Sequence, residues 1–406
     1  MRATSDIHDP HHSGIRGWVT SFIDRLRGGD LGSLPVIVGL AIIWAVFQIL
    51  NPTFLSSTNL VNLTMQSAAV GTISIGIVLV LLIGEIDLSV GSVSGLAGAI
   101  LAVAFVQLGW PLLLVIAAAL AAGAAVGLVF GFLYTRFGVP SFVITLAGLL
   151  AVLGVQLYVL GSAGSINIPF DSWIVMFGQQ LFLPPLVSYA LIALVVLAYA
   201  WRLWSQARRR TDAGLAAMST SVIALRVGAL LVVLVVAAWY LNLTRGVGVM
   251  FVVFLALVAA MNLALTRTKW GRAVYAVGGS VEAARRAGIR VNRIYISVFV
   301  LCSTFAAVGG LMAAARLAGS NQSSGGGDTN LNAIAAAVIG GTSLFGGRGS
   351  AFSALLGILV IMSISSGLTL LNLDSSIRYI ITGAVLVLAV IIDSLSRRSR
   401  AAAGRA

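Results

Sequence analysis

Apolar runs long enough to cross a hydrocarbon core recur from Leu34 nearly to the end of the chain, separated by short polar joints. A helical crossing takes about 20 residues, and on that measure the runs read as segments at roughly 34–50, 60–83, 88–108, 111–134, 141–161, 181–201, 222–241, 247–266, 294–316, 331–345, 350–371 and 377–393. Counted as crossings, they form an even set that leaves both termini on one side. Two places fit poorly. The run from Leu331 to Phe345 is short and rich in Ala and Gly, and the joint from Gly84 to Asp87 puts two carboxylates between apolar stretches with almost no loop. Irregular backbone at membrane depth survives only where protein or a water-filled cavity covers it. Both places are therefore candidates for broken or re-entrant helices, and the pattern predicts an all-α, polytopic transmembrane helical bundle of about 10–12 membrane segments.

Composition agrees with the pattern. Hydrophobic residues make up 59% and charged residues 9%, against about 25% charged in a soluble domain, and the mean hydropathy is +1.04. The net charge of +13 changes the picture only through its placement. Arg16, Arg25 and Arg27, then Arg136, the Arg202 to Arg210 cluster, the Arg267 to Arg293 stretch, Arg348 and the Arg397 to Arg405 tail all fall on one side; Arg245, Arg316 and Arg378 are left for the other. By the positive-inside rule both termini are expected to be cytoplasmic. The loop from Ser162 to Gln180 holds Asp171 and Trp173 but no basic residue, which suits an external, partly interfacial segment. No aromatic-and-basic interleaving of the kind used to bind strands is present, so nucleic acid is excluded as a partner.

Several chemistries drop out. Cys302, the single cysteine, lies in an apolar run, which excludes an intrachain disulfide and suits a buried, inert thiol. His8, His11 and His12 are the full set of histidines and sit in a polar tail expected to be disordered, so no metal site is expected. Leu34 opens a run without a small-residue cleavage site, read as a retained span. Lys269 is the only lysine and Trp270 follows it, so no Gly-x-x-x-x-Gly-Lys-Ser/Thr loop exists; energy must come from a partner or an ion gradient. Gly123, Gly127 and Gly131, and Gly91 and Gly95, repeat at the spacing that lets helix backbones approach closely. A weak internal echo links Ile86 to Gly91 with Asn330 to Ile334, each opening a small-residue apolar helix.

The most informative polar segment runs from Thr268 to Ile289. Its end reads as a short, deliberately terminated helix: Ser280 caps the first turn, Glu282 complements the positive end, Arg285 and Arg286 suit the other end, and Gly288 takes the left-handed stop. About two turns are marginal alone, so the helix needs a surface to rest on. Anionic lipid or a cytoplasmic protein would serve. Glu85 and Asp87 have three readings: capping or gating, contact with substrate, or proton coupling. Asn62 and Gln66 share one helical face and either line a route or hydrogen-bond between helices, as do Ser67, Thr72, Gln156, Tyr158, Ser363, Ser365 and Ser366.

Four ordered motifs then carry a resemblance covering nearly the whole chain. They are Glu85-Ile86-Asp87-Leu88-Ser89-Val90-Gly91-Ser92, Val139-Pro140-Ser141-Phe142-Val143-Ile144-Thr145-Leu146-Ala147-Gly148, the Thr268 to Ile289 loop with Glu282-Ala283-Ala284 and Gly288, and Ala333-Ile334-Ala335-Ala336-Ala337-Val338-Ile339-Gly340-Gly341-Thr342-Ser343-Leu344. Together they resemble the ribose/xylose/galactoside family of ABC importer permeases. The glutamate before Ile-Asp-Leu-Ser and the extra basic segment at Arg202 to Arg210 are similar to the xylose-type branch. Asn332, where the family commonly has an acidic residue, and Phe345, where a third glycine is expected, depart from the pattern; Asn332 is still able to cap a helix.

The resemblance implies an ABC importer permease fold with a cytoplasmic tail at 1–33, a permease domain at 34–394 and a cytoplasmic tail at 395–406. Within the domain lie a basic cytoplasmic loop at 202–221 and a coupling loop at 267–293. It also implies that Gly278, Gly279, Glu282, Ala283, Ala284 and Gly288 dock on a cytoplasmic ABC ATPase subunit. Glu85, Asp87, Ser89, Asn62, Gln66 and Asn332 are then candidates for the pathway or its gate. The implied role is a non-enzymatic subunit of the inner membrane, without cofactor, metal or catalytic residue. It would pair with a second permease copy and with a periplasmic or extracellular sugar-binding protein, and pass a monosaccharide such as xylose or another pentose. The readings that stay beside it are an ion-coupled secondary sugar transporter working through Glu85 and Asp87, and an ABC permease for ribose, galactose, a branched-chain amino acid or a nucleoside.

Overall fold

The computed structural model describes residues 34–215 and 217–374 and, beyond them, 376–377, 379–384, 387 and 391. The predicted tails at 1–33 and 395–406, with the three histidines, lie outside the described residues, and the segment predicted at 377–393 is described only in part. Among the described residues, nine helices are long and apolar enough to cross a membrane. After the shorter apolar α1 (Leu34–Leu50) come α2 (Ser57–Leu82), α3 (Val90–Ala102, continuing as a π turn to Gln107), α4 (Leu112–Phe137) and α5 (Ser141–Leu160). A strand β1 (Ser165–Asn167) and a helical turn α6 (Trp173–Val175) precede α7 (Pro185–Asp212), α8 (Thr220–Leu241) and α9 (Val249–Arg267). Two polar helices, α10 (Lys269–Gly279) and α11 (Val281–Arg286), lead to α12 (Val291–Leu317), β2 (Gly319–Asn321), α13 (Asp328–Ile339) and α14 (Ala351–Leu370). The chain is thus a multi-pass helical membrane protein.

It divides into two compact units. The smaller, Phe182–Val247, is the α7–α8 hairpin. Pro184 and Pro185 open α7, where a fixed φ and a missing N–H are tolerated, and Ser219 caps α8 by accepting from the Val222 N–H. Asn242 Nδ2 donates to Ser188 Oγ across the hairpin at 3.2 Å. The basic cluster differs from the predicted loop. α7 has 28 residues and carries Arg202 to Arg210 as its own last turns, with the Arg208 guanidinium 3.8 Å from the Trp204 ring centre. Arg, Gln and Ala are strong helix formers, so the helix continues past its apolar stretch before Gly214 ends it.

The larger unit, Ser33–Leu181 with Gly248–Leu395, is built around α2 and α12. In α2, 89% of the apolar window is buried. Side-chain-free backbone makes a close seam: Gly123, Gly127 and Gly131 of α4 face Ser303, Phe299 and Ile296 of α12 so tightly that a β-carbon at Gly127 would overlap the Phe299 carbonyl. The predicted packing role of that row is met. Gly91 and Gly95 pack differently. They admit the backbone of Gly325 and Ser324, a returning loop and not a helix.

That loop decides the doubtful segment. α12 ends at Ala318 in the left-handed region, and β2 pairs antiparallel with β1, Ile166 opposite Ser320. The chain then runs back along α3, passing Gly98 at Ser320 and Gly91 at Gly325, until Asn330 Nδ2 donates to the Leu88 carbonyl at 2.8 Å. α13, which follows, has 12 residues, about 18 Å at 1.5 Å per residue, too short to cross a ~30 Å hydrocarbon core. The stretch 331–345 is therefore not a crossing: helix stops at Ile339, and the next eleven positions form turns before α14. Nor does Asn332 cap this helix. Asp328 supplies the first-turn acid, and Asn332 stands one turn further in.

Candidate functional site

The end of the larger unit that carries α10 and α11 also gathers Arg136, Arg267, Arg272, Arg293 and Arg348, and is called the basic end here. Three polar pieces meet there: the 83–89 joint, the α10–α11 hairpin and the 343–350 turn.

The joint is a broken helix whose backbone groups are all but repaired by side chains. α2 stops as Gly84 turns left-handed (φ 80°), and the Glu85 N–H folds back onto the Val80 carbonyl at 3.1 Å. Ser141 and Thr145 of α5 bond the Ile86 N–H and carbonyl at 3.4 Å each, and Asn330 takes the Leu88 carbonyl. This is the cover that irregular backbone in a membrane protein requires. The two carboxylates part company. Asp87 is buried, and its Oδ1 accepts from the Ser89 N–H at 2.8 Å and the Ser89 hydroxyl at 2.6 Å, so it and Ser89 close the turn into α3. Glu85 is half-buried at the edge of a cleft, and its Oε1 accepts from the Tyr134 hydroxyl at 2.5 Å.

α11 has the construction that its residues predict. Ser280 Oγ accepts from the Ala283 N–H, Glu282 pairs with Arg286 at 3.1 Å and Arg285 at 3.8 Å, and Gly288 stops the helix at φ 79°. Ala284 is its one buried residue; Glu282, Ala283, Arg285 and Arg286 are exposed. α10 holds it in place. Thr268 caps α10 through the Gly271 N–H, Trp270 Nε1 donates to Ser297 Oγ of α12 at 2.9 Å, and Tyr275 Oη donates to the Gly349 carbonyl at 2.8 Å. Burial pushes the Tyr275 phenol above its ordinary pKa, so it stays a donor.

The pieces interlock at Gly278. Its α-carbon lies against the Leu82 carbonyl, which also accepts the Gly347 N–H at 2.9 Å; any β-carbon at Gly278 would collide with that oxygen. Gly279 beside it is exposed. The candidates Glu85, Asp87, Ser89, Gly278, Gly279, Glu282, Ala283, Ala284 and Gly288 thus lie on three neighbouring segments of one end. Asn62 and Gln66 do not join them. They stand in the first half of α2, about 30 Å and about 24 Å from its far end at 1.5 Å per residue. Asn332 lies on α13, whose Ile334 touches the same small cavity as Glu85, Ile86 and Asp87.

Between the joint, the α4–α5 turn, α11 and the start of α12 opens a cleft of about 570 Å³. Tyr134, Tyr295, Asn292 and Ser141 line it beside Glu85 and Arg285, and the Tyr134 and Tyr295 rings lie 4.6 Å apart. Sequence reasoning gave no role to the two tyrosines or Trp270 and saw Asn330 only as a helix opening, because each acts through a partner distant in the chain: 49 positions for Tyr134 and Glu85, 242 for Asn330 and Leu88. Among the described residues, no group of three or more His, Cys, Asp or Glu is placed to hold a metal ion.

Residues 59–390 match the family described as branched-chain amino acid transport system / permease component. The chain is 36% identical over 370 residues to the xylose transport system permease protein of Escherichia coli (strain K12), covering 90% of this chain and 93% of that one. It is 35% identical over 378 residues to the xylose transport system permease protein of Haemophilus influenzae, 92% and 99% of the two chains. To the ribose import permease protein of Escherichia coli (strain K12) it is 31% identical over 358 residues, 88% and 92%. No solved structure matches it.

Proposed function

The chain belongs to the branched-chain amino acid transport system / permease component family, and from that premise we propose that it is the membrane-spanning subunit of an ATP-driven importer of a pentose, xylose before ribose. The relatives named for xylose transport are more similar to it than the one named for ribose import, and they match over 90% or more of both chains. Transport is non-covalent here: the permease supplies a path, and hydrolysis occurs on a separate cytoplasmic ATPase subunit. An external sugar-binding protein delivers cargo, a second permease copy completes the path, and the basic end faces the cytoplasm of the inner membrane.

The observation that carries this reading is the mechanical continuity at Gly278. α11 presents Glu282, Ala283 and the two arginines outward, while Gly278 at the end of α10, just before it, presses on the carbonyl that ends α2. A push on α11 from an ATPase groove therefore reaches the 83–89 joint through backbone, and the joint passes it to α3 and the loop along α3. Alternating access between permease halves supplies the transport step. Glu85 and Asp87 are each engaged by a hydroxyl donor, Tyr134 and Ser89, which suits a gate held in shape.

Vesicles reconstituted with the permease, its ATPase and its binding protein should take up labelled xylose only when ATP is enclosed on the ATPase side. Uptake by the permease alone under an imposed proton gradient would replace this reading with the ion-coupled one.

A further inference from the structure

We propose that the 570 Å³ cleft at the basic end is a product site, which takes the free pentose after import and slows further turnover; this rests on the function proposed above. The volume falls within the ~300–1,000 Å³ of small-molecule sites. Its walls come from four separate stretches: the joint with Glu85, the α4–α5 turn with Tyr134 and Ser141, α11 with Arg285, and the first turns of α12 with Asn292 and Tyr295.

The lining suits a neutral, polyhydroxylated molecule. Glu85 keeps acceptor capacity beyond the single bond from Tyr134, and the Asn292 amide offers both donors and an acceptor. Tyr295 adds an aromatic wall. A small anion in this space meets the Glu85 carboxylate, and a metal cation meets the Arg285 guanidinium. A neutral molecule with several hydroxyls can bond to both and repels neither. The imported pentose is such a molecule, and it emerges at this end.

Occupancy bears on turnover through α11. A ligand bridging Glu85 and Asn292 to the Val281–Arg285 edge of α11 fixes the spacing between the joint and the helix on which the ATPase would push. It therefore favours whichever state has that spacing, by as much as its affinity differs between states, and resists the stroke that changes it.

The test compares initial import of labelled pentose into vesicles enclosing ATP and the ATPase, with the lumen either empty of sugar or loaded with millimolar unlabelled pentose. The wild-type rate should fall about threefold or more on loading, and Asn292→Ala and Glu85→Gln should each bring the loaded-to-empty ratio back to about one. Equal rates in loaded and empty wild-type vesicles overturn the proposal, as does a ratio that neither substitution moves. Inorganic phosphate enclosed in place of sugar should leave the rate unchanged; inhibition as strong as that by pentose overturns the assignment of a neutral ligand. Import into empty vesicles tests the function proposed above and not the cleft. Were it to fail, saturation-transfer NMR of pentose with the solubilised full-length permease still decides the cleft: transfer to the wild type that Asn292→Ala abolishes supports it, and absence of transfer overturns it.

Discussion

The 83–89 joint and the α11 helix are linked at Gly278, in the end of α10 that leads into α11, yet they are held by opposite means. The joint is buried or half-buried at every residue but Gly84 and is fixed beside a contact of backbone on backbone, with side chains of α5 and α13 satisfying the polar groups that the broken helix exposes. α11 is six residues of mostly exposed surface, shaped by one serine cap, two ion pairs and a glycine stop. Changes at the joint should therefore be felt as stability, and changes on α11 as lost partnership. The difference separates the part that transmits force from the part that receives it.

The largest effect belongs at the point of contact. Gly278→Val drives a β-carbon into the Leu82 carbonyl, which cannot retreat without releasing Gly347, and should cost ~3 kcal/mol or more, read as a lowered unfolding midpoint of the purified permease. A normal midpoint would mean that α10 does not bear on α2 as described. Asp87→Ala comes next. It strands the Ser89 N–H and hydroxyl in a buried turn, about 1–3 kcal/mol, while Asp87→Asn keeps an acceptor and should recover most of the loss in the same measurement. On α11 the scale shrinks. Ser280→Ala should remove about 1 kcal/mol of local helix stability, seen as faster amide exchange over residues 281–287 with the global midpoint unmoved. The smallest change in stability, within about 0.5 kcal/mol, is expected of Glu282→Arg, because Glu282 is exposed and its ion pairs are screened. That variant should nonetheless fail to retain the ATPase on co-purification. A drop in midpoint comparable to that of Gly278→Val would erase the distinction between the two regions.

Much of this was legible without coordinates. Apolar runs gave the spans because burial in lipid leaves a composition signal at every position, and α11 was readable to the residue because its cap, charges and stop act within nine positions. Gly123, Gly127 and Gly131 were legible as a seam for the same local reason, though not that their partner is α12. The rest is non-local. α13 looked like a span because Ala and Gly are apolar, but the polar opening at Asp328 and Asn330 and the stop at Ile339 answer to α3 and α14, which the local pattern does not name. The Arg202 to Arg210 segment looked like a loop by charge alone, whereas its backbone preference is helical. Glu85 was singled out as costly; Tyr134, which makes it affordable, stands in another helix with no mark of its own.

Biosynthesis inherits a problem from α13. An insertion channel that tests segments one at a time has little reason to release into lipid a 12-residue helix that opens with Asp328 and Asn330. The groove beside α3 that receives Asn330 is synthesised 242 positions earlier, whereas α14, its other support, follows at once. Membrane integration and folding should therefore be separable in this protein, with the 319–350 stretch docking against α3 only after α14 has been made.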